Sequence, residues 1–465
     1  MCSIDSKDLY SMIDEAVISI CEDLHAQGKE CYLVGGATRD LLMGEKPKDW
    51  DLTTDATPDE VMEIFHGEKI VPTGLQHGTV TLIRGDEPYE ITTFRTEGAY
   101  SDGRRPDYVR FTDDIREDLK RRDLTINSIA YSPMDDRIVT TEENGIEDLR
   151  NGVIRAVGDA GERFREDGLR TMRVCRFASR LNFDVEEETL RAVRENVGMI
   201  DKVSEERIRE EIMGILKQSD KPSIGIECLR KTGLLEKVLP EVADLYGLEQ
   251  APQYHKYDAY WHTNVGLDSI PKEKYIERLE FLLHDIGKKP ARAWSDSKQR
   301  YAYIDHDILG AEMASAVMER LKFSTAVSDR VVRVVRNHLL HDSSQWSDKS
   351  IRKLVNKVGE ENLEDLLTVH RADIVGKGMD IDKYLREADI LEDRLQRLRE
   401  ETGKVSFTAK DLAITGHDVM NYLQITPGPM VGRVLNHMVE KVMDDPSLNN
   451  RGDLMKMLEE VEHNE

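Results

Sequence analysis

Two aspartates separated by one residue are the first side chains in the chain whose type and spacing could do chemistry. Asp49 and Asp51 flank Trp50 in the stretch KPKDWDLTTDATPDEV. Alternate side chains of a β-strand share a face, so the sequence predicts both carboxylates on one side and Trp50 on the other. Like charges this close are costly unless a cation lies between them. The pair could hold two Mg²⁺ ions for attack on a phosphorus atom; the alternative is a strand end with two solvated acids.

A glycine pair and an arginine precede these acids. In YLVGGATRD an apolar strand runs into Gly35 and Gly36, and Arg39 follows on a predicted helix. Glycines let backbone N–H groups approach phosphate oxygens closely, and a guanidinium adds a fork of donors. The order strand, glycine pair, helix, arginine, strand and paired acids therefore favours a phosphate-handling site.

The stretch RRDLTIN could supply further ligands for a nucleotide. Arg122, Asp123 and Asn127 bring donors and an acceptor to what reads as one short helical stretch. Such a set suits a triphosphate and a ribose hydroxyl. An ordinary capped helix start uses the same residue types, so both interpretations stay open at this point.

The stretch REDGLRTMR places acids and an arginine at helical spacing. Glu166 is four positions and Asp167 three positions before Arg170, so both would be its neighbours on a helix. The Asp167 carboxylate could accept from an exocyclic amine while the Arg170 guanidinium donates to a ring atom, which suits cytosine and adenine. A plain ion pair is the alternative. Gly168 falls inside this predicted helix at a cost of about 1 kcal/mol relative to alanine, so a mobile turn is expected.

Composition and charge bound the class of protein and its partners. The chain has 465 residues, of which 39% are hydrophobic and 33% charged, as in a globular protein rich in amphipathic helix. The net charge of −25 argues against a nucleic-acid partner, but arginines concentrate in one region. A positive stripe on an acidic body can hold a polyanion; an ion-paired helix face is the alternative. The arginines of this region are Arg150, Arg155, Arg163, Arg165, Arg170, Arg173, Arg176 and Arg180.

Cysteine usage and hydropathy predict a cytoplasmic protein. No apolar run of about eighteen residues is present, so no membrane span is expected. The first residues mix acids into their sequence and lack the apolar core of a signal peptide. The cysteines form no CxxC and are odd in number, which fits reduced thiols. They are Cys2, Cys21, Cys31, Cys175 and Cys228.

A second set of chemistry-bearing residues lies far downstream, around FLLHDIGKK. Neutral imidazoles and carboxylates are good ligands for Mn, Fe, Ni or Zn. An adjacent His-Asp pair cannot complete a site alone, so the ligands must come from several helices. The intervals between these residues suit successive helices that line a bundle interior; satisfied core histidines are the alternative. The candidate ligands are His262, His284, Asp285, His306, His338 and Asp373.

The elements that must position these residues fall into two kinds. An opening helix is predicted over Ser6–Gln27, and WDLTT, TVTLIRG, YEITTFR and YVRFT read as strands separated by turn residues. From about Gly161 almost everything reads as amphipathic helix. The predicted class is therefore α+β, with a small mixed α/β head on a long all-α body. Residues Thr96–Pro106 read as a polar loop, and Glu90 lies on a strand that could bring a third carboxylate to the metals.

Four of these stretches, in order, resemble the class II tRNA nucleotidyltransferase and bacterial poly(A) polymerase family. LVGGATRDLLMGEKPKDWDLTTDATPDEV is similar to its nucleotidyltransferase signature and RRDLTINSIAY to its second motif. GERFREDGLRTMRVCRFASRL resembles its nucleotide-selection helix, and SEERIREE the motif after it. The resemblance covers roughly the first 215 residues and implies a polymerase-β-like head. One departure is Asn144-Gly145 where the family has a glycine pair, so altered loop geometry is expected there.

The resemblance also implies roles for individual residues. Asp49 and Asp51 would be catalytic and hold two Mg²⁺ ions, and Glu166, Asp167 and Arg170 would form a protein template for CTP and ATP. A flexible loop matching Thr96–Pro106 serves the switch from C to A addition in the family, which favours a complete CCA adder. The residues implied in nucleotide binding are Gly35, Gly36, Arg39, Arg122, Asp123, Asn127, Glu166, Asp167, Arg170, Arg173 and Arg176.

The downstream set resembles the HD superfamily of metal phosphohydrolases, over about residues 255–380. That resemblance implies one metal at His262, His284, Asp285 and Asp373, with His306 and His338 as the extra ligands of binuclear members. The stretch near the end of the sequence, LAITGHDVMNYLQITPGPMVGRVLNHMVEKVMDDPSLNNRGDLMKML, resembles the C-terminal tRNA-binding segment of the same nucleotidyltransferases. A helical packing domain is the alternative. The predicted domains are residues 1–150 (nucleotidyltransferase head), 151–250 (helical neck with the selection helix and RNA-binding helices), 251–380 (HD metal-binding domain) and 381–465 (tRNA-binding segment).

The leading functional hypothesis is template-independent addition of C, C and A to the 3′ end of tRNA, from CTP and ATP, with release of pyrophosphate. Mg²⁺ would serve the head and a divalent transition metal the HD set. The alternatives are a poly(A) polymerase of the same family, and an HD phosphohydrolase or nucleotide sensor with a non-catalytic head. The sequence does not decide between complete, CC-only and A-only addition, and it does not give the oligomeric state.

Overall fold

The computed structural model describes residues 9–98, 100 and 106–462. The chain divides into two compact units, Met1–Pro240 and Glu241–Glu465. The first unit contains a seven-stranded mixed sheet with helices, and the described part of the second is almost wholly helical. The predicted α+β class is confirmed.

The sheet of the first unit is built from short strands whose apolar residues face the core. Seven strands of the first unit form this sheet in the order β3-β4-β5-β2-β1-β8-β9, and β2 pairs with β5 in parallel. The remaining strands pair two by two, β6 with β7 and β10 with β11. The strands are β1 (Cys31–Val34), β2 (Asp51–Thr54), β3 (Lys69–Gly74), β4 (Thr79–Arg84), β5 (Glu87–Thr93), β6 (Arg95–Glu97), β7 (Val109–Phe111), β8 (Ile129–Ser132), β9 (Arg137–Thr140), β10 (Val153–Ile154) and β11 (Asp184–Val185).

The helices of the first unit cover the sheet and then form a helical layer of their own. Helix α7 packs against α9 and α10, and most of its residues are buried. The helices are α1 (Glu15–Ala26), α2 (Gly35–Leu42), α3 (Pro58–Ile64), α4 (Ile115–Lys120), α5 (Gly145–Asn151), α6 (Ala160–Glu166), α7 (Leu169–Leu181), α8 (Glu187–Glu195), α9 (Glu205–Gln218), α10 (Pro222–Thr232) and α11 (Leu235–Val238). A short helix, α12 (Pro240–Ala243), spans the boundary between the units.

Two element boundaries differ from those predicted. The opening helix begins at Glu15, after a 3₁₀ turn at Tyr10–Met12, and residues 6–8 of the prediction lie outside the described residues. The predicted loop Thr96–Pro106 begins inside a strand, because Thr96 pairs with Arg110 in the β6–β7 ladder. Ala99 and residues 101–105 of that loop lie outside the described residues.

The second unit is a helical bundle interrupted by one β-hairpin, which the sequence prediction missed. Helices α13, α14, α17 and α19 pack together, and α21, α22 and α23 share a separate apolar core. None of the described helices is long and apolar enough to cross a membrane. The elements are α13 (Ala259–Leu267), α14 (Tyr275–Leu283), α15 (Lys288–Ala291), β12 (Arg292–Ser295), β13 (Arg300–Tyr303), α16 (His306–Arg320), α17 (Thr325–Asn337), α18 (Asp348–Val358), α19 (Leu363–Lys377), α20 (Ile381–Thr402), α21 (Gly416–Leu423), α22 (Pro429–Asp444) and α23 (Arg451–Glu462).

Candidate functional site

The paired aspartates lie at the edge of the sheet where β2 begins. Asp51 is the first residue of β2 and Asp49 lies in the preceding bend, so only one of them is within the strand. The predicted alternation nevertheless holds, because both acids are exposed while Trp50 is buried and donates from Nε1 to Asp14 over 3.0 Å. Glu90 on β5 is the register partner of Asp51, which places a third acid beside the pair.

Electrostatics at Asp51 favour a bound cation. Burial of part of the carboxyl by surrounding protein raises the pKa of Asp51, the Arg122 guanidinium opposes the rise, and the charge of Asp49 adds to it. A divalent cation between the two carboxylates would remove this repulsion. The acids line a groove of about 690 Å³ that also contains Lys46, Lys48 and Trp50.

Gly35, at the N-terminus of α2, brings three predicted residues together. Its φ of +65° is a left-handed conformation that side chains disfavour. A Cβ at this position would lie 3.3 Å from Nη1 of Arg122 and 3.5 Å from Oδ2 of Asp51. The first glycine of the pair therefore leaves space in which backbone, guanidinium and carboxylate meet. Three separate stretches of sequence supply these groups.

Arg39 is placed differently from the prediction that it offers a donor fork to phosphate. It is 1% exposed, donates from Nη1 to Oδ1 of Asn127 over 2.7 Å, and donates from Nε and Nη2 to Asp40 over 2.9 and 2.6 Å. Burial lowers the pKa of Arg39, and the Asp40 carboxylate opposes this. The observed contacts make Arg39 a positioning residue for Asn127.

The RRDLTIN stretch was predicted as one helical segment, but only its last three residues form a helical turn. Helix α4 ends at Lys120, and a separate 3₁₀ turn covers Thr125–Asn127. Asp123 lies between them, where it accepts from Asn127 Nδ2 over 3.4 Å and from Arg173 Nε over 2.5 Å. Burial would raise the pKa of Asp123, but the Arg173 guanidinium holds it at about 2. Asp123 is therefore an anion that links this turn to α7.

The predicted nucleotide-selection helix is broken between α6 and α7, at Asp167 and Gly168. Helix α6 ends at Glu166, and Gly168 is the residue that precedes α7. A Cβ on Gly168 would lie 2.3 Å from the carbonyl oxygen of Met199, closer than real contacts allow. The prediction that Gly168 lies inside a helix is wrong, because it precedes α7 and the close approach of the Met199 carbonyl requires glycine there.

Because the helix is interrupted at Asp167 and Gly168, the two residues predicted to read the base, Asp167 and Arg170, form ion pairs with different partners. Arg170 donates from Nη1 to Oε2 of Glu166 over 2.6 Å. Asp167 accepts from both Nη atoms of Arg207, over 3.1 and 2.6 Å. Arg207 belongs to the SEERIREE stretch, whose resemblance was the signal that could have pointed to it. Asp167 and Arg170 are therefore each held by a separate oppositely charged partner.

Two further arginines of the predicted set differ in accessibility. Arg176 is 9% exposed and donates from Nε to Oε2 of Glu211 over 2.6 Å. Arg173 is half-buried, and its guanidinium lies 5.4 Å from the centre of the Phe177 ring. We therefore place Arg173 beside the site and Arg176 within the packing between α7 and α9.

Two residues of the predicted loop, Glu97 and Tyr100, contact Arg121 and Arg170. The sequence analysis did not predict these contacts. Glu97 accepts from Nη1 of Arg121 over 3.0 Å and from the hydroxyl of Tyr100. The Arg170 guanidinium lies 6.0 Å from the centre of the Tyr100 ring and donates to the carbonyl of Arg121 over 3.2 Å. The described part of the loop thus contacts Arg170, one of the residues predicted to read the base.

A second cluster lies in the second unit and brings together all six predicted metal ligands. His262, His284 and Asp373 form one group and Asp285, His306 and His338 the other, with the possible ligand atoms of each group within 4.8 Å of one another. His262 Nε2 is 3.2 Å from Asp373 Oδ1 and 3.3 Å from His284 Nε2. Asp285 reaches both groups, since its Oδ2 is 3.1 Å from His284 and its Oδ1 is 3.5 Å from His306.

Comparisons with known proteins place the chain in a family. The family model for the poly A polymerase head domain matches residues 31–155, a probable RNA- and SrmB-binding site of polymerase A matches 182–245, and a putative tRNA nucleotidyltransferase domain 2 matches 293–458. The CCA-adding enzyme of Lactobacillus helveticus is 34% identical over 95% of this chain and 96% of its own length. That of Enterococcus faecalis is 33% identical over 94% of this chain and 93% of its own.

The chain belongs to the CCA-adding enzyme family.

Solved structures of CCA-adding enzymes agree with this membership of a nucleotidyltransferase family. The Bacillus stearothermophilus CCA-adding enzyme in complex with CTP aligns with a TM-score of 0.71 and 26% identity, covering 97% of each chain. The Thermotoga maritima CCA-adding enzyme complexed with tRNA has the same fold, with a TM-score of 0.62 and 20% identity over 98% of each chain.

In this member of the CCA-adding enzyme family, hydrogen bonds fix the orientation of the clustered imidazoles. His284, His306 and His338 each donate from Nδ1 to a backbone carbonyl, over 2.6, 2.7 and 2.7 Å. A carbonyl oxygen only accepts, so Nδ1 carries a proton in each ring and Nε2 is the nitrogen directed towards the cluster. Burial lowers the pKa of His338 to about 3, which keeps that imidazole neutral.

Carboxylates and lysines complete the cluster. Burial would raise the pKa of Asp285, but His284 and Lys288 hold it well below its usual range. The Lys288 ammonium lies 2.6 Å from Asp285 Oδ2, and that of Lys377 lies 2.9 Å from Asp373 Oδ2. Imidazole nitrogens and carboxylate oxygens are the ligands that divalent transition metals prefer.

Proposed function

We propose that the chain adds C, C and A to the 3′ end of tRNA, using CTP and ATP. The observation that carries the proposal is the meeting of Asp51, Arg122 and the glycine turn at Gly35, with Asp49 beside them. The identity to CCA-adding enzymes over nearly the whole chain supports it. In the reaction the 3′ oxygen of the RNA bonds to the α-phosphorus of the nucleotide, the bond to the bridging oxygen breaks, and pyrophosphate leaves.

The donor set at Asp49 and Asp51 fits Mg²⁺, because two exposed carboxylates repel each other without a cation. Two Mg²⁺ ions held there would neutralise the triphosphate and make the RNA hydroxyl easier to deprotonate. The protein contributes the remaining charge compensation. Arg122 and the backbone N–H groups at Gly35 and Gly36 would bind phosphate oxygens at the start of α2.

Base selection is assigned to Asp167 and Arg170. Cytosine and adenine both present an amine beside a ring acceptor, so one acceptor and one donor can read both bases. Glu166 and Arg207 hold these two side chains in position by short ion pairs. Uracil and guanine present the reversed pattern, which would set like groups against each other.

The decisive experiment incubates the purified protein with a tRNA that lacks its 3′-terminal CCA, supplying each nucleoside triphosphate separately and then CTP with ATP. Growth by two residues with CTP and by a third when ATP is added supports the proposal. Growth by two residues only indicates a CC-adding enzyme, and long adenosine tails indicate a poly(A) polymerase. No incorporation from any nucleotide contradicts the assignment of a catalytic head.

A second activity is proposed for the cluster of the second unit: metal-dependent hydrolysis of phosphate esters. The observation that favours it is the set of six candidate ligands, with the Nε2 atoms of His284, His306 and His338 directed towards the cluster. A transition metal such as Ni²⁺, Mn²⁺ or Fe²⁺ held there would activate water and bind phosphate oxygens. Lys288 and Lys377 add positive charge at the cavity wall. Small esters, cyclic nucleotides and a cyclic phosphate on a damaged tRNA end are the candidate substrates.

This second proposal has its own test. The purified protein is freed of metal, reloaded with Ni²⁺, Mn²⁺ or Fe²⁺ in turn, and assayed with 2′,3′-cyclic AMP and with bis-p-nitrophenyl phosphate. Hydrolysis with at least one metal supports the proposal. Absence of hydrolysis with every metal would leave the cluster as a structural metal site and overturn the proposed activity.

A further inference from the structure

The β-hairpin formed by β12 and β13 carries its aromatic side chains on one face. Arg292 is opposite Tyr303 and Trp294 opposite Tyr301 in the antiparallel register, so these four side chains share a face. Ala293 and Ala302 form the next cross-strand pair, on the other face. Ser295 and Arg300 share that other face, so one face of the hairpin is aromatic with Arg292, and the other carries small residues with Arg300.

This face is exposed where a hydrophobic side chain would normally be covered. Trp294 is 53% and Tyr301 41% exposed, and Ile304, just past the hairpin, is 71% exposed. The rings of Trp294 and Tyr301 meet edge to face at 5.3 Å, and the Arg292 guanidinium lies 3.7 Å from the centre of the Tyr301 ring. Large exposed aromatic groups gathered in this way mark a binding surface.

The charge of the segment is opposite to that of the rest of the chain. Residues 288–303 contain five lysines and arginines and a single acid, on a protein whose net charge is −25. Lys288 and Lys289 are ion-paired with Asp285 and Asp244. Among the described residues, Arg292, Lys298 and Arg300 form no ion pair. The combination of unpaired cations and open aromatic rings suits a polyanion that carries planar groups.

The hairpin is continuous with the cavity that contains the metal-ligand cluster. Lys298, Arg300 and Tyr301 line this cavity of about 660 Å³, together with the ligands His306 and Asp373. The last hairpin residue also holds a ligand, because His306 donates from Nδ1 to the carbonyl of Tyr303. A chain bound along the hairpin would therefore end at the cluster.

We propose that this hairpin binds the single-stranded end of an RNA and directs its terminal phosphate to the cluster. The inference rests on the proposed phosphohydrolase function and narrows its substrate from small esters to a polynucleotide end. Unpaired bases would stack on Trp294 and Tyr301, and Arg292, Lys298 and Arg300 would contact the phosphates. A folded protein partner fits less well, because three unpaired cations would then require an acidic surface.

The test compares two substrates with the same reacting group. One is a hexaribonucleotide that ends in a 2′,3′-cyclic phosphate, and the other is 2′,3′-cyclic AMP. In both, water adds to phosphorus, the P–O bond to one ribose oxygen breaks, and that oxygen takes a proton. We expect the wild type to prefer the hexamer by about tenfold or more in kcat/KM, mainly through KM. The double variant Arg292→Ala/Trp294→Ala should bring the two substrates to near equality.

A matched control and a binding readout separate this inference from the activity on which it rests. Tyr246→Ala removes an exposed aromatic residue of the same unit that is not on the hairpin and should keep the preference. A hexamer containing 4-thiouridine is also crosslinked to the wild type and the attachment sites are mapped. Crosslinks within residues 292–304 without hydrolysis would overturn the phosphohydrolase activity and retain the RNA surface. An unchanged substrate preference in the double variant, or crosslinks only elsewhere, would overturn the RNA surface.

Discussion

The two candidate sites hold their acids in opposite ways. In the first unit Asp49 and Asp51 are exposed at the start of a strand, and partial burial of the carboxyl, with the charge of Asp49, raises the pKa of Asp51. In the second unit Asp285 is 1% exposed, and its histidine and lysine neighbours hold its pKa well below the usual range. An open pair suits metal ions that arrive with a substrate, whereas a closed cluster suits a resident metal.

The largest expected effect comes from removing one open acid. Asp51→Ala should lower kcat for nucleotide addition by at least about a thousandfold, because one of the two carboxylates proposed to hold the metal ions is then lost. The assay is incorporation of CTP into tRNA lacking CCA. Asp59→Ala, an exposed acid on α3, should retain activity. Near wild-type kcat in the Asp51 variant would refute the two-metal assignment.

Removing two of the buried metal ligands in the second unit should abolish phosphate-ester hydrolysis and leave nucleotide addition intact. His284→Ala/Asp285→Ala should eliminate hydrolysis of 2′,3′-cyclic AMP while nucleotide addition continues, because each site takes all its ligands from its own unit. Both activities are measured on the same preparation, and circular dichroism checks the fold. The control His437→Ala alters an exposed histidine on α22 and should change neither activity. Loss of nucleotide addition in a folded double variant would contradict the separation.

Base reading should be affected next. Arg170→Ala should lower kcat/KM for CTP and ATP by about a hundredfold and narrow the gap to UTP and GTP, since the discriminating donors are lost. Arg207→Ala should give a smaller loss of the same kind, because Asp167 remains but loses its ion pair. The measurement is the relative kcat/KM of each variant for all four nucleotides. Unchanged ratios in the Arg170 variant would refute the protein-template hypothesis, and Arg191→Ala on α8 is the exposed control.

A smaller effect on stability is expected at the helix break. Gly168→Ala should lower the free energy of unfolding by about 2 kcal/mol, because its Cβ would collide with the Met199 carbonyl oxygen and force the backbone apart. Gly198→Ala has open space around its Cβ and should cost much less. Urea denaturation compares the two variants, and equal midpoints would show that the close approach is not limiting.

The smallest predicted effect concerns a buried acid outside both sites. Glu280 is fully buried with neither carboxyl oxygen hydrogen-bonded, and burial followed by the charge of Asp365 raises its pKa to about 9. The folded protein thus binds a proton that the unfolded chain releases between pH about 4.5 and about 9, so this group's contribution to stability falls as pH rises through that window. Glu280→Gln should therefore be more stable than the wild type at pH 8, by an amount that thermal unfolding measures.

The pH dependence supplies the control for that variant. The advantage of Glu280→Gln should shrink towards pH 5, where the wild-type carboxyl is protonated in the folded protein and the unfolded chain holds its proton for part of the time. Glu273→Gln, at an exposed position, should have no such dependence. Thermal unfolding at pH 5 and pH 8 measures both variants. An equal advantage at the two pH values would contradict the raised pKa.

How far the sequence could predict these features depends on the range of the determining contacts. The alternation around Trp50 is local, and it was predicted and is confirmed. The position of Gly168 outside a helix was not predicted, because the carbonyl that leaves no room for a side chain there belongs to Met199, which is distant in sequence. The burial of Arg39 depends on Asn127, which is distant in sequence. Contacts between separate segments carry no periodic signal, so residue types were predicted better than their pairings.

The hairpin is an instructive failure of pattern reading. Its strands, RAWS and RYAY, are four residues each and lie between helices, so their alternation is too short to outweigh the helical context. The HD ligands, by contrast, were predicted as a set, and the structure brings all six together. Their roles in metal binding and catalysis remain predictions.

The most direct test of the two-site account measures bound transition metal and nucleotide addition on the same samples. Wild type, Asp49→Ala/Asp51→Ala and His284→Ala/Asp285→Ala are loaded with Ni²⁺, desalted and analysed for metal, then assayed with Mg²⁺, CTP and ATP on tRNA lacking CCA. We predict that the aspartate variant keeps the nickel and loses nucleotide addition. The His284→Ala/Asp285→Ala variant should lose the nickel and retain nucleotide addition. Loss of both properties in either folded variant would contradict the account.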